Sequence, residues 1–585
     1  MTVSRSAPLR PGDDAVRGPL AAASVSLETW AGQDGVHLLY ADLDLMEVAA
    51  LRRALGLPAT GAETDADLVL AAVRRWGAEA ADRLGGAFAF AVWDGRQQAV
   101  VAHRDPVGLR PLVYAHRPGW IVLGGDVRAV LTDPAVPDAL DEDMLAAVFL
   151  DPLFQPETVG RTALRAVACL KGGHRLTVDA DGAREDRTWS PEAFPRLPFR
   201  RVEEIGEALR AVLREVTAEA IADAPPGTVG THLSSGIDSS AVTAFAAEAL
   251  AERGLASPTA YSWLPAPVGP PEVDQAAVAA TAERWGLTLV WAPPTADDIL
   301  ATLTGDATRE PHVMRAPNAA TLREAEVRGT RLLLSGWGGD EAASFSGRRL
   351  VTPHLLRTGR WGPVAERALR DPVEVLRRLR TYRAARRVSG PEPSFDALRE
   401  GALRGEQDTF ARVEWLRQAT FPTLAPPPSD PHGYAAWLLR RGHLGARAGS
   451  WALTGAEVGI RTRYPLLDRR VLAVALGVPA EAWATRNRLR RRPFREALAG
   501  LVPDAVRLGG KREPSWNATL LRAQADALRR VGPMLTPAAV ADRATFVDVD
   551  RLRAAVRALP VAPTPWEVVS LDGIRYLGIG ALLRR

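Results

Sequence analysis

The stretch Leu233–Ser240, LSSGIDSS, decides the fold of the larger part of the chain. Before it, Val229–Leu233 is a short apolar run typical of a buried strand, and after it Ala241–Leu250 favours a helix. A turn of small residues at the start of a helix directs several backbone N–H groups and the positive end of the helix dipole to one point. That arrangement predicts a binding site for a pyrophosphate group.

Asp238 lies within this turn and indicates what else binds there. A serine-rich helix cap would explain the serines and the glycine alone. A carboxylate beside phosphates is repulsive unless a metal ion lies between them, so Asp238 favours ATP bound with Mg²⁺. The segment is not the lysine-bearing Walker loop, because no Gly-Lys-Ser/Thr follows it.

Strands and helices alternate on the C-terminal side of the loop. The predicted strands are Thr259–Trp263, Leu287–Trp291 and Arg331–Ser335, and the predicted helices between them are Val273–Trp285 and Ala319–Val327. This alternation, with right-handed crossovers, predicts a doubly wound parallel sheet.

The rest of the chain is organised differently. From about Ser24 to Asp179, short alternating strands predict a mixed α+β domain rich in antiparallel pairing. Three prolines within Arg187–Arg200 indicate a linker. Arg348–Arg440 is arginine-rich and interrupted by prolines, which predicts a helical insert, and Ala435–Arg585 is predicted to be mostly helical.

Length and composition exclude several classes of protein. The 585 residues allow two large domains, which we place at residues 1–195 and 196–585. A hydrophobic fraction of 47% and a charged fraction of 24% are typical of a globular chain. The net charge of +4 is small for this length and does not indicate a nucleic-acid partner. No uncharged apolar run reaches about 18 residues, so no membrane span is expected. The single cysteine, Cys169, fits a reducing compartment, and we predict a cytoplasmic enzyme.

Several motifs together resemble a known family. LSSGIDSS is similar to the pyrophosphate loop of ATP pyrophosphatases, and three further motifs follow in the order typical of asparagine synthetases: Leu334–Glu341 (LSGWGGDE), Arg463–Asp468 (RYPLLD) and the segment Arg495–Lys511. In the first half, Leu84–Trp93 and Arg104–Pro111 resemble the glutamine amidotransferase half of that family. The resemblance covers nearly the whole chain. It implies an Ntn-type amidotransferase-like αββα domain, followed by an ATP-pyrophosphatase (PP-loop) synthetase domain with a helical insert.

The resemblance also implies a set of site residues. Asp238 and Asp340 would hold Mg²⁺ and serve catalysis, and Lys511 would stabilise the oxyanion of the amide-forming step. Arg491 would hold pyrophosphate, although four arginines crowd it in the sequence and a solvated surface position is the alternative. The residues implied to contact ATP are Leu233, Ser234, Ser235, Gly236, Asp238, Ser239, Ser240, Ser262, Gly336 and Arg491.

Two departures from the family indicate the substrate. In glutamine-using members a cysteine nucleophile follows the initiator methionine, whereas here Thr2 follows Met1, and Cys169 lies where the family has a structural loop. We therefore predict no glutamine hydrolysis. Trp337 lies where asparagine synthetases have an acidic residue and β-lactam synthetases a tyrosine, and an indole cannot accept a proton. This favours an α-amine as nucleophile, because about half of such amines are neutral near pH 8. Simple packing is the alternative for Trp337.

Together with the missing cysteine, LSGWGGDE most resembles the lasso peptide cyclases. That resemblance implies ATP-dependent activation of an Asp or Glu side chain within a leaderless core peptide, followed by attack of the peptide's own N-terminal amine. A leader peptidase and a leader-binding protein are the implied partners. Two alternatives stay open. One is an amide synthetase that makes asparagine from ammonia or closes a small β-lactam; the other is a catalytically silent scaffold, against which Asp238, Asp340 and Lys511 argue.

Overall fold

The computed structural model describes residues 2–3, 37–95, 97–118, 120–151, 154–199, 201–304, 315–362, 364–365, 394–404, 412–483, 490–509, 518–534, 548–561 and 564. The strands are β1 Thr2–Val3, β2 His37–Met46, β3 Gly85–Asp94, β4 Ala99–Arg104, β5 Val113–Arg117, β6 Trp120–Gly124, β7 Ala168–Cys169, β8 His174–Val178, β9 Ala183–Arg187, β10 Val229–His232, β11 Thr259–Ser262, β12 Thr288–Trp291, β13 Leu332–Leu334 and β14 Arg461–Arg463.

The helices of the described residues are α1 Val48–Leu55, α2 Asp65–Trp76, α3 Val127–Leu131, α4 Glu142–Leu150, α5 Val202–Ala220, α6 Ile237–Glu252, α7 Val273–Arg284, α8 Ala296–Thr304, α9 Arg315–Val327, α10 Val351–Arg357, α11 Phe395–Leu403, α12 Val413–Gln418, α13 Pro431–Arg440, α14 His443–Glu457, α15 Arg469–Gly477, α16 Arg492–Ala497, α17 Asp504–Arg507, α18 Ala518–Val531 and α19 Val549–Ala558. None of these helices combines the length and the apolar composition needed to cross a membrane.

Two sheets that pack face to face form the N-terminal half. One is antiparallel with the strand order β2-β3-β4-β8-β9, and the other has the order β1-β6-β5-β7. Alternate residues of β3 point to opposite faces. Ala89 and Ala91 join the core between the sheets, whereas Phe88, Phe90 and Val92 pack against α1 and α2. The outer face of the second sheet packs against α3. This is the predicted αββα arrangement, which is confirmed.

A five-stranded parallel sheet with the order β12-β11-β10-β13-β14 forms the core of the second half. Leu332 and Leu334 of β13 pack with α6 on one face, and Leu333 packs with α9 on the other. The predicted doubly wound sheet is confirmed. The described residues after Ala435 are mostly helical, as predicted, and they also contain β14, a strand of three residues that is too short to show a period.

The predicted linker is packed against the second half rather than free. Leu197 N donates to the carbonyl of Gly477 at 2.9 Å, and Arg196 Nη1 donates to that of Leu476 at 2.6 Å. Pro191 is buried as well. The prolines of this segment therefore end regular structure without releasing the chain into solvent.

The described part of the predicted insert is helical, as expected, and it contacts the N-terminal half. Phe395 of α11 packs edge-on against Phe154, with ring centroids 5.0 Å apart. Trp415 Nε1 of α12 donates to Glu142 Oε2 of α4 at 3.0 Å. These helices share one apolar core with α4.

A buried ion network joins the two halves at the edge of the parallel sheet. Arg463 of β14 donates to both carboxylate oxygens of Asp44 on β2, with Nε–Oδ2 at 3.0 Å, and also to Asp223 Oδ1 at 2.6 Å. Asp44 is 4% exposed. Burial raises the pKa of Asp44, but the charge and hydrogen bonds of Arg463 outweigh burial and hold that pKa below its ordinary value. The RYPLLD motif thus attaches the first half to the sheet that carries the phosphate loop.

Candidate active site

The predicted phosphate loop leaves the carboxyl end of β10 and opens α6. Its own hydroxyl groups hold its shape. Ser234 N donates to Ser239 Oγ at 3.0 Å, the two hydroxyl oxygens lie 2.9 Å apart, and Gly236 N donates to Ser234 Oγ at 3.2 Å. In open parallel sheets ligands bind outside the carboxyl ends of the strands, which is where this loop lies.

The LSGWGGDE motif, Leu334–Glu341, lies directly against the first turn of α6. A Cβ atom on Gly336 would lie 2.5 Å from Ser239 N, and one on Gly339 would lie 2.5 Å from Asp238 Oδ1. Only glycine allows so close an approach. The two motifs, which are distant in sequence, therefore form one site.

Asp238 and Asp340 both contact the guanidinium of Arg491. Arg491 donates to Asp238 Oδ2 at 2.9 Å, to Asp340 Oδ1, and to Ser344 Oγ at 3.1 Å. Because Arg491 is only 8% exposed, the alternative of a solvated surface residue is wrong. The structure places this guanidinium on the two carboxylates, and its contact with pyrophosphate stays a prediction.

The two carboxylates fit a Mg²⁺ ion that nucleotide phosphates help to coordinate. Asp238 Oδ1 is buried and accepts no hydrogen bond from the residues that the structure describes, which suits a cation ligand. Within the part of the chain that the structure describes, no group of three His, Cys, Asp or Glu side chains forms a metal site. Mg²⁺ commonly uses one or two carboxylates together with substrate phosphates, so Asp238 and Asp340 would hold it in the presence of ATP.

A cavity of about 190 Å³ lies between the two motifs. The predicted residues that line it are Leu233, Ser234, Gly236, Asp238, Ser239, Gly336 and Asp340.

The other predicted residues that the structure describes do not line this cavity. Ser235, Ser262 and Arg491 are not among the cavity-lining residues, so their contact with ATP stays a prediction. The prediction for Ser240 is corrected: its side chain is fully buried and donates to the carbonyl of Gly236 at 3.0 Å, so the hydroxyl is used inside the helix. Lys511 lies outside the described residues, and its role stays a prediction.

Sequence reasoning missed most of the remaining wall of the cavity. Arg447 of α14 stacks on Trp337, with its guanidinium carbon 3.4 Å from the ring centroid. His443 packs edge-on against the same ring and lies 3.3 Å from Glu341 Oε1. His232, the last residue of β10, also lines the cavity. Of these residues, the sequence could have indicated His232, which directly precedes the loop, and Glu341, which belongs to the acidic motif. Arg447 is one arginine among many.

Burial and neighbouring charges shift the pKa values of the groups around this cavity. Burial lowers the pKa of His232 to about 4, and the positive charge of Arg447 acts in the same direction, so the imidazole is neutral at pH 7. Burial also lowers the pKa of Arg447 to about 9, against the opposing charges of Glu341 and Tyr464. Burial raises the pKa of Glu341, but the hydrogen bond and charge of His443 outweigh it and lower that pKa. Arg447 therefore remains a cation at pH 7.

Cys169 lies away from this site. It is buried in β7, and Arg104 Nη1 approaches its sulfur at 3.4 Å. This position agrees with the structural role expected for that segment.

Comparisons with known proteins agree with the two halves of the fold. Residues 45–189 match the model of the glutamine amidotransferase domain, and residues 208–569 match that of asparagine synthase. Asparagine synthetase [glutamine-hydrolyzing] 3 of Bacillus subtilis is 30% identical over 200 residues, which are 34% of this chain and 31% of that relative's length. A putative asparagine synthetase [glutamine-hydrolyzing] of Mycobacterium tuberculosis is 27% identical over 487 residues, covering 76% of this chain and 68% of the relative.

Among solved structures, glutamine phosphoribosylpyrophosphate amidotransferase from B. subtilis matches 52% of this chain and 72% of its own, at 14% identity and a TM-score of 0.20, which is too low to support an argument. The asparagine synthase model, in contrast, spans more than half of the chain and includes the phosphate loop, the acidic motif and the RYPLLD motif. The chain therefore belongs to the asparagine synthase family.

Proposed function

We propose that the chain is an ATP-dependent macrolactam synthetase of the lasso peptide cyclase type. It would adenylate an Asp or Glu side chain of a leaderless core peptide and join it to the peptide's N-terminal amine. The observation that carries the amide-ligase chemistry is the single cavity shared by the phosphate loop and the two acidic side chains, Asp238 and Asp340. The narrower assignment rests on Trp337 and on the resemblance of its motif.

The chemistry balances in two steps. First, a carboxylate oxygen attacks the α-phosphorus of ATP and pyrophosphate leaves. Second, the amine attacks the acyl carbon, AMP leaves, and the nitrogen loses a proton. The first turn of α6 has no side-chain cap, so its backbone N–H groups would face the charge that develops on the phosphates. The hydroxyls of Ser234 and Ser239, which contact each other in the structure, would turn to the same oxygens. Asp238 and Asp340 would hold Mg²⁺, which would neutralise that charge further.

Trp337 supports an amine that needs no basic side chain at this position. Its indole N–H points to the carbonyl of Leu444 at 3.4 Å, and its ring is packed between His443 and Arg447. An indole in this setting forms a wall of the cavity and cannot take a proton. A peptide α-amine, partly neutral near pH 8, can attack without that help.

A second candidate is an amide synthetase that uses ammonia or a small substrate. The names of the relatives favour it, since they are asparagine synthetases. The small volume of the cavity favours it as well, because about 190 Å³ accommodates an amino acid more readily than a folded peptide. The two candidates share the adenylation step and differ in the carboxylate and the nucleophile.

The deciding experiment compares nucleophiles under one set of conditions. The full chain is incubated with ATP, Mg²⁺ and either a core peptide encoded beside its gene or aspartate with ammonia. AMP is assayed, and mass spectrometry follows the loss of one water from the peptide. The proposal expects dehydrated peptide and equimolar AMP. Amination of aspartate without any peptide product would transfer the assignment to the second candidate.

Glutamine supplies the matching control. Because Cys169, the one cysteine of the printed sequence, is buried in β7, we expect no release of glutamate from glutamine, with or without ATP. Glutamate formed in proportion to AMP would contradict this expectation.

A further inference from the structure

One wall of the active-site cavity carries buried polar atoms that the described residues leave without partners. They are the indole nitrogens of Trp263 and Trp451, Nε of Arg447 and both ring nitrogens of His232. All four residues line the cavity, and His232 and Trp451 are only 4% and 1% exposed. Buried polar groups in native proteins are normally hydrogen-bonded, so such a cluster indicates a bound group that completes the bonds.

Arg447 determines the charge of that group. Its guanidinium lies over Trp337 and 5.7 Å from the ring centroid of Trp451. Among the residues that the structure describes, none of the ion pairs within 4 Å involves Arg447, and the carboxylate of Glu341 is already bonded to His443. Glu341 acts on Arg447 only from beyond 4 Å, so an anionic ligand in the cavity would give this half-buried guanidinium a direct counter-ion.

We propose that Arg447, with Trp337 and Trp451, forms the subsite for the carboxylate that is activated. This inference rests on the proposed function, because it names the substrate group that the ligase binds. The planar guanidinium fork matches the two oxygens of a carboxylate, and the indole rings cover the methylene carbons that carry it. His232, neutral beside Arg447, adds one donor without adding charge.

Nucleotide phosphates are the other source of an anion in this cavity. The proposed function assigns those phosphates to the loop, where the hydroxyls of Ser234 and Ser239 lie with the N-terminus of α6. The side of the cavity that carries Arg447, Trp337 and Trp451 differs from the loop because it offers one planar cation among aromatic rings. A monoanionic carboxylate on a short apolar stem therefore fits it better than a phosphate.

Binding without turnover tests the proposal. The probes are N-acetyl-aspartate methylamide, which carries one side-chain carboxylate, and its neutral asparagine counterpart. Titration calorimetry and tryptophan fluorescence follow each probe and Mg·ATP on the full chain. In Arg447→Gln we expect binding of the aspartate probe to weaken at least about 10-fold, while the dissociation constant of Mg·ATP stays within about twofold. Arg447→Lys keeps the charge but loses the planar fork, so its affinity for the aspartate probe should lie between those of the unmodified chain and Arg447→Gln.

A matched control is Arg441→Gln, since Arg441 stacks on Trp437 at 4.9 Å and neither residue lines the cavity. It should leave both affinities unchanged. Weakened Mg·ATP binding in Arg447→Gln with an unchanged aspartate probe would assign the guanidinium to phosphate and overturn the proposal. Unchanged binding of both ligands, or equal binding of the two probes to the unmodified chain, would also overturn it. If the unmodified chain binds the aspartate probe but forms no amide product, the proposed function fails while the subsite stands.

Discussion

Replacement of Gly336 by alanine tests whether the two motifs must touch for the site to work. The new Cβ atom would lie 2.5 Å from Ser239 N and 2.6 Å from the carbonyl carbon of Asp238, both backbone atoms that cannot rotate away. An ordinary contact begins at 3.4 Å, so the acidic motif and the phosphate loop must separate by about 0.9 Å. A misplacement of about 1 Å in an active site can cost roughly 100-fold in rate, which corresponds to about 2.7 kcal/mol of transition-state stabilisation.

The assay is ATP–pyrophosphate exchange with the acceptor that supports AMP formation, together with calorimetric binding of Mg·ATP. We expect Gly336→Ala to lower exchange about 100-fold while far-UV circular dichroism stays unchanged. Gly362→Ala is the control, because Gly362 is exposed and a Cβ there would meet none of the described residues within 4 Å. Exchange by Gly336→Ala within threefold of the unmodified chain would refute the reasoning. An equal loss in Gly362→Ala would show that the effect does not come from contact between the motifs.

Further predictions concern the carboxylates, the ion network and the lysine. Asp238→Asn and Asp340→Asn should each lower pyrophosphate exchange about 100-fold by removing a metal ligand, and near-normal exchange in either variant would contradict the assignment. Asp44→Asn should lower the free energy of unfolding by about 3 kcal/mol in urea titrations, because the buried guanidinium of Arg463 loses its main partner. Since the pKa of Asp44 is lowered in the folded state, this contribution is fully present above about pH 4 and is lost as the pH falls through the lowered value; a stability difference that stays constant down to pH 2 would contradict the sign. Lys511→Ala should abolish amide product while Mg·ATP still binds, and product formation at the unmodified rate would remove the lysine from catalysis.

Local patterns predicted much of the fold. The apolar spacing of α2 predicted its limits, Asp65–Trp76, because a capped amphipathic helix is specified by its own residues. The strand, the small-residue turn and the helix around the phosphate loop were predicted for the same reason. The features that local patterns did not predict have a common cause as well. The strand β14 has three residues, and its membership in the sheet depends on pairing with β13, which no local period records. The segment Arg187–Arg200 contains linker residues but packs on α15, which only the second half of the chain provides.

The motifs, and the end of the strand that each one follows, could be read from the sequence because turn chemistry and periodicity act over a few neighbouring residues. Which arginines matter depends on tertiary contacts. The chain has 73 lysines and arginines, so residue type cannot distinguish Arg491 on the two acidic side chains, Arg463 on Asp44 or Arg447 on Trp337. Each of these contacts joins residues far apart in the chain. It forms because packed helices and sheets bring the partners together and exclude water from all or part of the guanidinium. A guanidinium that has lost water needs a partner in the protein or in a ligand.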